Sequence, residues 1–570
     1  MLGIKIKNKF ISLYADTALT FDIYHPMAII MESVDELKGG YSFPLDIPLD
    51  EINIGIIGRI DRLDRNATLL NDEYCEVWCE GVPLYIGKAY MKKSGNKRAE
   101  LFMVFNEVKE IGSTSLEAID LGGDRSIGAD TATRLAHAKD TAVNPLDYDY
   151  IFCPVFNPLY FDTTDLPFPI FRYQNFWDVV TSEFIEQAPS SAMPFIRVDY
   201  LLKQIFKYQG YTLDNQWQIT DELKQIILYN NRSIYRTVDE WAETINLAHH
   251  VPFRTAVEFL RAICSTFGLG LFYDHFNKTA LIKPFRDMIN SPIAADWTSK
   301  AGADFGYTED INLISQLRYD IDTNDDLSVR YSGITAPPGL IFGEGLTARI
   351  LQAAFTIGPY YTKADNSIYF IPLPGSDIPY TAQYHNPVIK NVKGEKYISP
   401  LIPMWNSWNI KLNGDVDDTI TFQEWMLPHI RHIGYTVIEN SGQSSYKTPL
   451  TSFRMMIYRG MQPADVGHSE TYPMANATAY NIRGDKVGDY SLHWDGQYGI
   501  YAQWWSQVYH MLANKSDVTR SLLLTISDLL SFRFYNKYRI ENQNYFISRM
   551  RYTLTMRGIS PIEATMMSTL

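Results

Sequence analysis

The spacing of hydrophobic and polar positions changes several times along this chain, and the changes divide it. At first the period is two. Ile4 and Ile6 alternate with lysines, and Tyr41–Leu49 (YSFPLDIPL) reads as extended because residues before proline avoid the helical region. Tyr74–Glu80, Leu84–Lys92 and Arg98–Phe105 read as a meander turning at Gly81-Val82 and Ser94-Gly95-Asn96. Residues 112–147, rich in Gly, Ser, Thr, Ala and Asp, show little periodicity and predict a long loop. Residues 149–178 are aromatic and proline-broken, the pattern of an irregular segment buried against something large.

The period then becomes helical. Val198, Leu201, Leu202, Ile205 and Phe206 form one stripe ending before Gly210. Thr255 and Glu258 predict a capping box ahead of the stripe Ala256, Phe259, Leu260, Ile263, Cys264 and Phe267, with Gly268 as the stop. Gly270–Phe276 and Thr279–Phe285 read as a hairpin. Residues 300–480 read as short strands between polar turns. Near the end, Tyr498, Tyr501, Ala502, Trp505, Tyr509 and Leu512 predict an amphipathic helix. Ser521–Ile526 predicts a strand, and Phe546, Met550, Tyr552, Leu554 and Met556 mark a half-buried strand. The two ends look alike: PLDIPL followed by an aromatic hairpin, and SLLLTISDLL followed by another.

Composition narrows the classes. At 570 residues the chain can bury several cores without metal or disulfide support. Its 51 Lys and Arg against 65 Asp and Glu, net −14, argue against a general nucleic-acid coat. Four cysteines, Cys75, Cys79, Cys153 and Cys264, are too few for a disulfide scaffold, and Cys75 and Cys79 are expected on one face of a strand as core residues. The N-terminus lacks the continuous apolar stretch of a secretory signal, and no apolar run approaches membrane-spanning length. Aromatics are abundant, with 38 Tyr, 29 Phe and 11 Trp making 14% of the chain, which suits sheet cores and protein interfaces.

Candidate chemistry is sparse. The phosphate loop, the H-E-x-x-H zinc motif and the G-x-S-x-G elbow do not occur, so no catalytic residue and no cofactor is assigned. His429 and His432, and the adjacent His249 and His250, lack neighbouring ligands at metal spacing. The best metal-like string is NGDVDDTITFQE. There Asn413, Asp415, Asp417 and Glu424 fit calcium-loop positions, but Asp418 replaces the turn glycine, which favours a solvated acidic turn. Trp494, Tyr498, Trp504 and Trp505 could stack on sugars, or serve as core or interface.

Several segments resemble tail hub or baseplate proteins of phages that infect Bacteroidetes. They are YSFPLDIPLDEINIGIIGRIDRLDR, EVWCEGVPLYIGKAYMK, LLKQIFKYQGYTL, PFRTAVEFLRAICSTFGLGLFYDHFNKTALI, DWTSKA and, at the end, the Tyr498–Trp505 helix with DVTRSLLLTISDLLSF, KYRIENQNYFISRMRYTL and GISPIEATM. The resemblance implies a non-enzymatic virion protein with two similar β-barrels, assembled as a homo-oligomer, a trimer by preference and otherwise a hexamer. It further implies contact with tube, tip and fibre proteins, transient passage of phage DNA, and synthesis in the host cytoplasm before incorporation into the virion. Phe156, Tyr160, Phe161, Trp494, Tyr498, Trp504 and Trp505 are then interface candidates, with internal core an equal reading. The alternatives are a receptor-binding or wall-degrading tail protein acting on host glycan, and an outer-membrane glycan-binding lipoprotein, which the missing lipobox cysteine disfavours.

The expected fold class is α+β, predominantly β, with two tube-like β-barrel domains, an inserted small α+β domain and further β structure. Residues 1–111 would form the first barrel, 112–189 the loop and irregular segment, 190–300 the α+β insertion, and 301–480 a mainly β middle domain. Residues 481–570 would supply a helix and complete the second barrel.

Overall fold

The structure is a computed structural model. It describes residues 2–24, 40–58, 73–95, 97–105, 114–160, 173–185, 192–237, 240–308, 314–320, 322–325, 360–364, 367–371, 381–384, 388–389, 395–408, 426–434, 449–464, 470–481, 485–494, 496–514 and 516–569. The protein is predominantly β with helices, as its pattern predicts. It divides into two compact units. The first comprises Met1–Gly112, Gly268–Leu313 and Gln507–Leu570, and the second Ser113–Phe267 and Ile314–Ser506.

The first unit is built on one sheet of fifteen strands. In chain order these are β1 (Leu2–Ile6), β2 (Lys9–Phe10), β3 (Ala18–Tyr24), β4 (Gly40–Ser42), β5 (Leu45–Pro48), β6 (Glu73–Cys79), β7 (Val82–Ser94) and β8 (Arg98–Phe105). Then come β9 (Ile293–Asp296), β10 (Ala301–Thr308), β11 (Asp517–Leu522), β12 (Lys537–Ile540), β13 (Gln543–Thr555), β14 (Gly558–Ile559) and β15 (Ile562–Thr569). The main path runs β2-β1-β6-β7-β8-β4-β3-β13-β15-β11-β10, with β5 also on β8, β12 and β14 on β13, and β9 on β12. The expected tube-like barrels are corrected here. Among the described residues, β2 and β10 end an open path, and neither half closes on itself.

The likeness of the two ends is real at the level of topology. β5 leads into helix α1 (Glu51–Ile57) and the meander β6-β7-β8, and β11 leads into helix α2 (Ile526–Ser531) and the meander β12-β13-β15. The long strands β7 and β13 have 13 residues each, and the closing strands β8 and β15 have 8 each. Across the sheet the orders also match: β3, β4 with β5, β8, β7, β6, β1 against β10, β11, β15, β13, β12, β9. One departure is that β1 runs antiparallel to β6 whereas β9 runs parallel to β12. Both helices are capped from the loop before them. The Asp50 carboxylate accepts from the Asn53 amide at 2.8 Å, and Thr525 and Asp528 form a reciprocal box. The strand expected at Ser521–Ile526 therefore ends at Leu522, because Thr525 starts a helix.

The alternating strands bury one face as predicted. Leu2, Ile4, Ile6, Cys75, Val77 and Cys79 join Leu101, Tyr552, Leu554 and Met566 in one core. The halves meet along β3 and β13, paired antiparallel from Ala18↔Thr555 to Tyr24↔Arg549. At this seam Phe21 packs on Tyr85, Phe105 and Tyr552 at 5.1–5.4 Å, and the Thr20 and Thr553 hydroxyls bond at 2.8 Å. The fully buried Asp22 carboxylate accepts from both Nε (2.7 Å) and Nη2 of Arg549.

In the second unit the helix Ala256–Phe267 has the expected box, with the Glu258 carboxylate accepting from the Thr255 amide at 2.8 Å, and Gly268 takes the left-handed stop at φ 59°. The helix Val198–Tyr208 buries its predicted stripe. The long loop expected over 112–147 is corrected, because it contains the helix Thr131–Val143, capped by Asp130 and Thr133. Its buried face is Arg134, Ala138, Thr141 and Ala142. Such small and polar residues give no visible apolar stripe, although alanine is the strongest helix former.

Replacing Arg549 by Ala leaves the Asp22 carboxylate buried without its cation. Full loss of a buried partner costs about 3–5 kcal/mol. With the Arg549 side chain 35% exposed, a loss of about 2–3 kcal/mol is expected in urea unfolding of the first unit. D22N in the same chain should restore part of it, and a loss for R549A alone below about 0.5 kcal/mol, the range of ordinary surface changes, would refute the seam's importance.

Candidate functional site

The interface candidates lie mostly inside the second unit. Phe156 is 3% exposed, with its ring edge-on to Tyr173 at 5.1 Å and His429 at 5.2 Å. Tyr160 is 1% exposed and packs so closely on Gly434 that a Cβ there would stand 2.1 Å from its ring. Trp494 rests on Tyr319 and Trp505, Trp504 on Phe267 and Tyr490, and the Trp505 indole donates to the Thr266 carbonyl at 2.8 Å. All three tryptophans are buried. Of the two readings, interface and internal core, the burial of Phe156, Tyr160, Trp494, Trp504 and Trp505 within the chain fits the core. Tyr498 is half-buried under the Lys486 ammonium at 4.7 Å. Phe161 lies outside the described residues, as do the calcium-loop candidates Asn413, Asp415, Asp417 and Glu424.

The expected face of the C-terminal helix is rotated. Tyr501–Trp505 forms a π-helical turn before the α-helix Ser506–Asn514, and such a turn accommodates an extra residue. Ile500, Trp504, Trp505, Val508, Met511 and Leu512 are buried in place of Tyr498, Tyr501, Ala502 and Tyr509.

Among the described residues, one buried cluster of titratable groups is built from ion pairs and hydrogen bonds. The Arg454 guanidinium, fully buried, donates to Asp325 at 2.7 Å and Asp322 at 3.1 Å. Ser452 donates to Asp322, and the Arg431 amide donates to Asp325 at 3.1 Å. Burial opposes ionisation of Asp322, but the Arg454 charge and the Ser452 hydroxyl outweigh it and hold the carboxyl below the usual range. Asp322 and Asp325 are thus held in place by the Arg454 charge and by backbone and hydroxyl donors. A second pair joins buried Arg459 to Glu222, whose carboxylate also accepts from the Asp489 amide at 2.8 Å.

The histidine pairs are likewise part of the packing. Burial pushes His429 well below its ordinary value and lowers His432, whose Nδ1 faces the Ile433 carbonyl at 2.6 Å. Burial brings His250 and His493 down to about 3. Among the described residues no group of three His, Cys, Asp or Glu side chains could hold a metal ion. No helix there is long and apolar enough to cross a membrane.

The surface that sequence reasoning missed is on the first unit, at the end of the sheet's path through the described residues. β10 exposes Phe305 (65%) and Tyr307 (55%) beside the exposed Asp304, and only β11 pairs with it among the described residues. A signal was present. Phe305 and Tyr307 alternate in ADFGYT, which marks a strand with two aromatics on one face.

Neutral buried histidines make the second unit sensitive to acid. Because His250 and His493 take up protons near pH 3 when folded and near 6.5 when unfolded, their penalty is absent above pH 6.5 and grows as pH falls toward 3. Each should cost about 1.4 kcal/mol per pH unit across that window. Denaturant melts at pH 7, 6 and 5 should show the decline, and H493Q should flatten it by one histidine's share. Identical melts from pH 7 to 5 would exclude this account.

No protein-family model matches the sequence, and no curated protein matches it. Solved structures similar to this chain include the 43 kDa tail protein of prophage MuSo2 from Shewanella oneidensis (8% identity, 99% of this chain and 96% of that one, TM-score 0.33). Others are the tail protein from Neisseria meningitidis MC58 (9%, 99% and 95%, TM-score 0.32) and a prophage tail protein from Listeria monocytogenes EGD-e (7%, 99% and 94%, TM-score 0.33). Identities and scores this low establish neither a common fold nor a common role.

Proposed function

We propose that this chain is a structural component of a phage tail, a hub or baseplate protein that joins the tail tube to the tail tip and lines part of the DNA-ejection channel. The observation that carries this reading is the repeat in the first unit, where the same strand, helix and meander occur twice in one sheet. A chain with two equivalent modules, repeated around a threefold axis, presents six equivalent modules to a sixfold tube and three chains to a threefold tip. Supporting it are the segments that resemble tail hubs, which fall largely on these modules. The burial of Trp494, Trp504 and Trp505 removes the main support for the glycan-binding alternative.

The charge pattern changes the expectation for the channel. The first unit has 25 Lys and Arg against 27 Asp and Glu, a net of −2, whereas the second has 26 against 38, a net of −12. The acidic excess belongs to the second unit, and a ring built from the first would be nearly neutral overall. Such a wall suits passage of DNA that must not be gripped, since phosphate binding requires clustered cations.

Mass photometry of the purified chain and cryo-EM of the particle test the reading together. A threefold ring at the junction of tube and tip is the expected result. A stable monomer at assembly concentrations, with no ring of this chain in the virion, would overturn it.

A further inference from the structure

The sheet contains its module twice, but the chain makes the module-to-module contact once. In that contact β3 of the first module lies on the second half of β13, the long strand of the second module. The counterpart of β13 is β7, and the counterpart of β3 is β10. Counted from the turn that opens each long strand, Lys88, Met91 and Lys92 of β7 stand where Arg549, Tyr552 and Thr553 stand in β13. Registered pairs then cross the sheet as Lys88↔Val104↔Tyr41↔Asp22 in one module and Arg549↔Thr565↔Thr519↔Gly306 in the other. Gly306 therefore occupies the place of Asp22, Phe305 that of Phe21 and Asp304 that of Thr20.

The equivalent residues differ in one respect. Phe21 is 0% exposed, packed on Tyr85 and Phe105 of its own module and on Tyr552 of β13, whereas Phe305 is 65% exposed. The matching half of β7 continues past its last registered pair with β6, Glu73↔Ala89, through half-buried Met91 and exposed Lys92 and Lys93. The charges of the two segments are opposite. β10 brings Asp304, and β7 brings two lysines, one of which bridges Glu100 at the surface at 3.3 Å. Two copies of β10 would instead share the same acidic residue, so pairing of like edges is disfavoured.

We propose that β10 of one copy adds antiparallel to the second half of β7 of a second copy, repeating the β3–β13 seam between chains. Phe305 then lies opposite the partner's Met91, as Phe21 lies opposite Tyr552, and Asp304 lies opposite the partner's Lys92. Strand addition supplies main-chain hydrogen bonds, and the Phe305 contact and the Asp304–lysine pair set the register. The contact joins two different surfaces, so each copy presents one of each to the next, and the chain closes into a ring when the rotation closes. This inference rests on the reading of the protein as a ring-forming tail component and names the strands that make the ring.

The test uses the full chain. F305C mixed with M91C under oxidising conditions should give a disulfide-linked pair that neither variant forms alone, since Cys75, Cys79 and Cys153 are buried and Cys264 is half-buried. F305D should weaken association more than tenfold by mass photometry while leaving the thermal midpoint of the protomer unchanged, because Phe305 is exposed within it. D304K should weaken association as well, and D304K/K92D should restore it. Rings that form normally with F305D and give no cross-link would overturn the proposed seam and leave the hub reading standing. Wild-type protein that forms no ring in solution or in the virion would overturn both.

Discussion

The first unit depends on the pairing of β3 with β13. Its three segments are separated in sequence, and Asp22 and Arg549, which lock the seam, are 527 positions apart. Closing a flexible loop of that length costs roughly 5–6 kcal/mol in chain entropy, and the insertion lowers that cost only insofar as it is already folded. The compensation is concentrated at the seam. Phe21 and Tyr552 bury whole rings, Asp22 and Arg549 form a two-bonded ion pair, and seven registered positions extend the sheet from one module into the other. Without it, each module would expose a sheet edge, and the ring cluster of Phe21, Tyr85 and Phe105 would lose Tyr552. Such a long-range contact also implies slow assembly of this unit relative to the local meanders within it.

The second unit solves a different problem. Its strands are short and its segments irregular, and polar side chains in the interior fix how they meet. Arg454 ties Asp322 and Asp325 to the strand Phe453–Pro463, and Asn157 binds the backbone of His432 through both its amide nitrogen and its oxygen. A buried ion cluster of this kind adds less to net stability than apolar packing would. Any wrong arrangement, however, leaves a charge without its partners, so the cluster penalises alternatives.

Legibility followed the range of the interaction. The helix Ala256–Phe267 was readable to the residue because Thr255, Glu258 and Gly268 are local signals, and the meander β6-β7-β8 was readable because alternation and turn glycines are local too. The helix Thr131–Val143 was hidden because its buried face is made of Ala and Thr with one Arg. The helix after β11 was hidden by the apolar run Leu522–Leu524, although Thr525 and Asp528 mark its start. At the candidate sites the reading stayed divided between core and interface for another reason. A tryptophan that fills a core and one that fills an interface belong to the same residue type with the same periodicity, so only the fold could place Trp494 and Trp505 inside. The repeat was visible as two similar strings. Its correspondence of Phe21 with Phe305 was not, because it runs through cross-strand registers that no sequence period encodes.

The two ends of the large sheet's described path differ in how they meet solvent. An unpaired strand edge invites aggregation, and soluble proteins blunt it with short strands, lysines or turns that twist it away. β2 follows that rule: it is two residues long, begins with Lys9, and is reached through a tight turn with Lys7 and Asn8 at positive φ. β10 does not. It runs for eight residues, carries no lysine or proline, and presents Phe305 and Tyr307. Both edges expose an aromatic, Phe10 on β2 and Phe305 on β10, but among the described residues the short edge and the long one are different surfaces. In the seam proposed above a strand of a second copy would cover this edge, as β13 covers β3 within the chain.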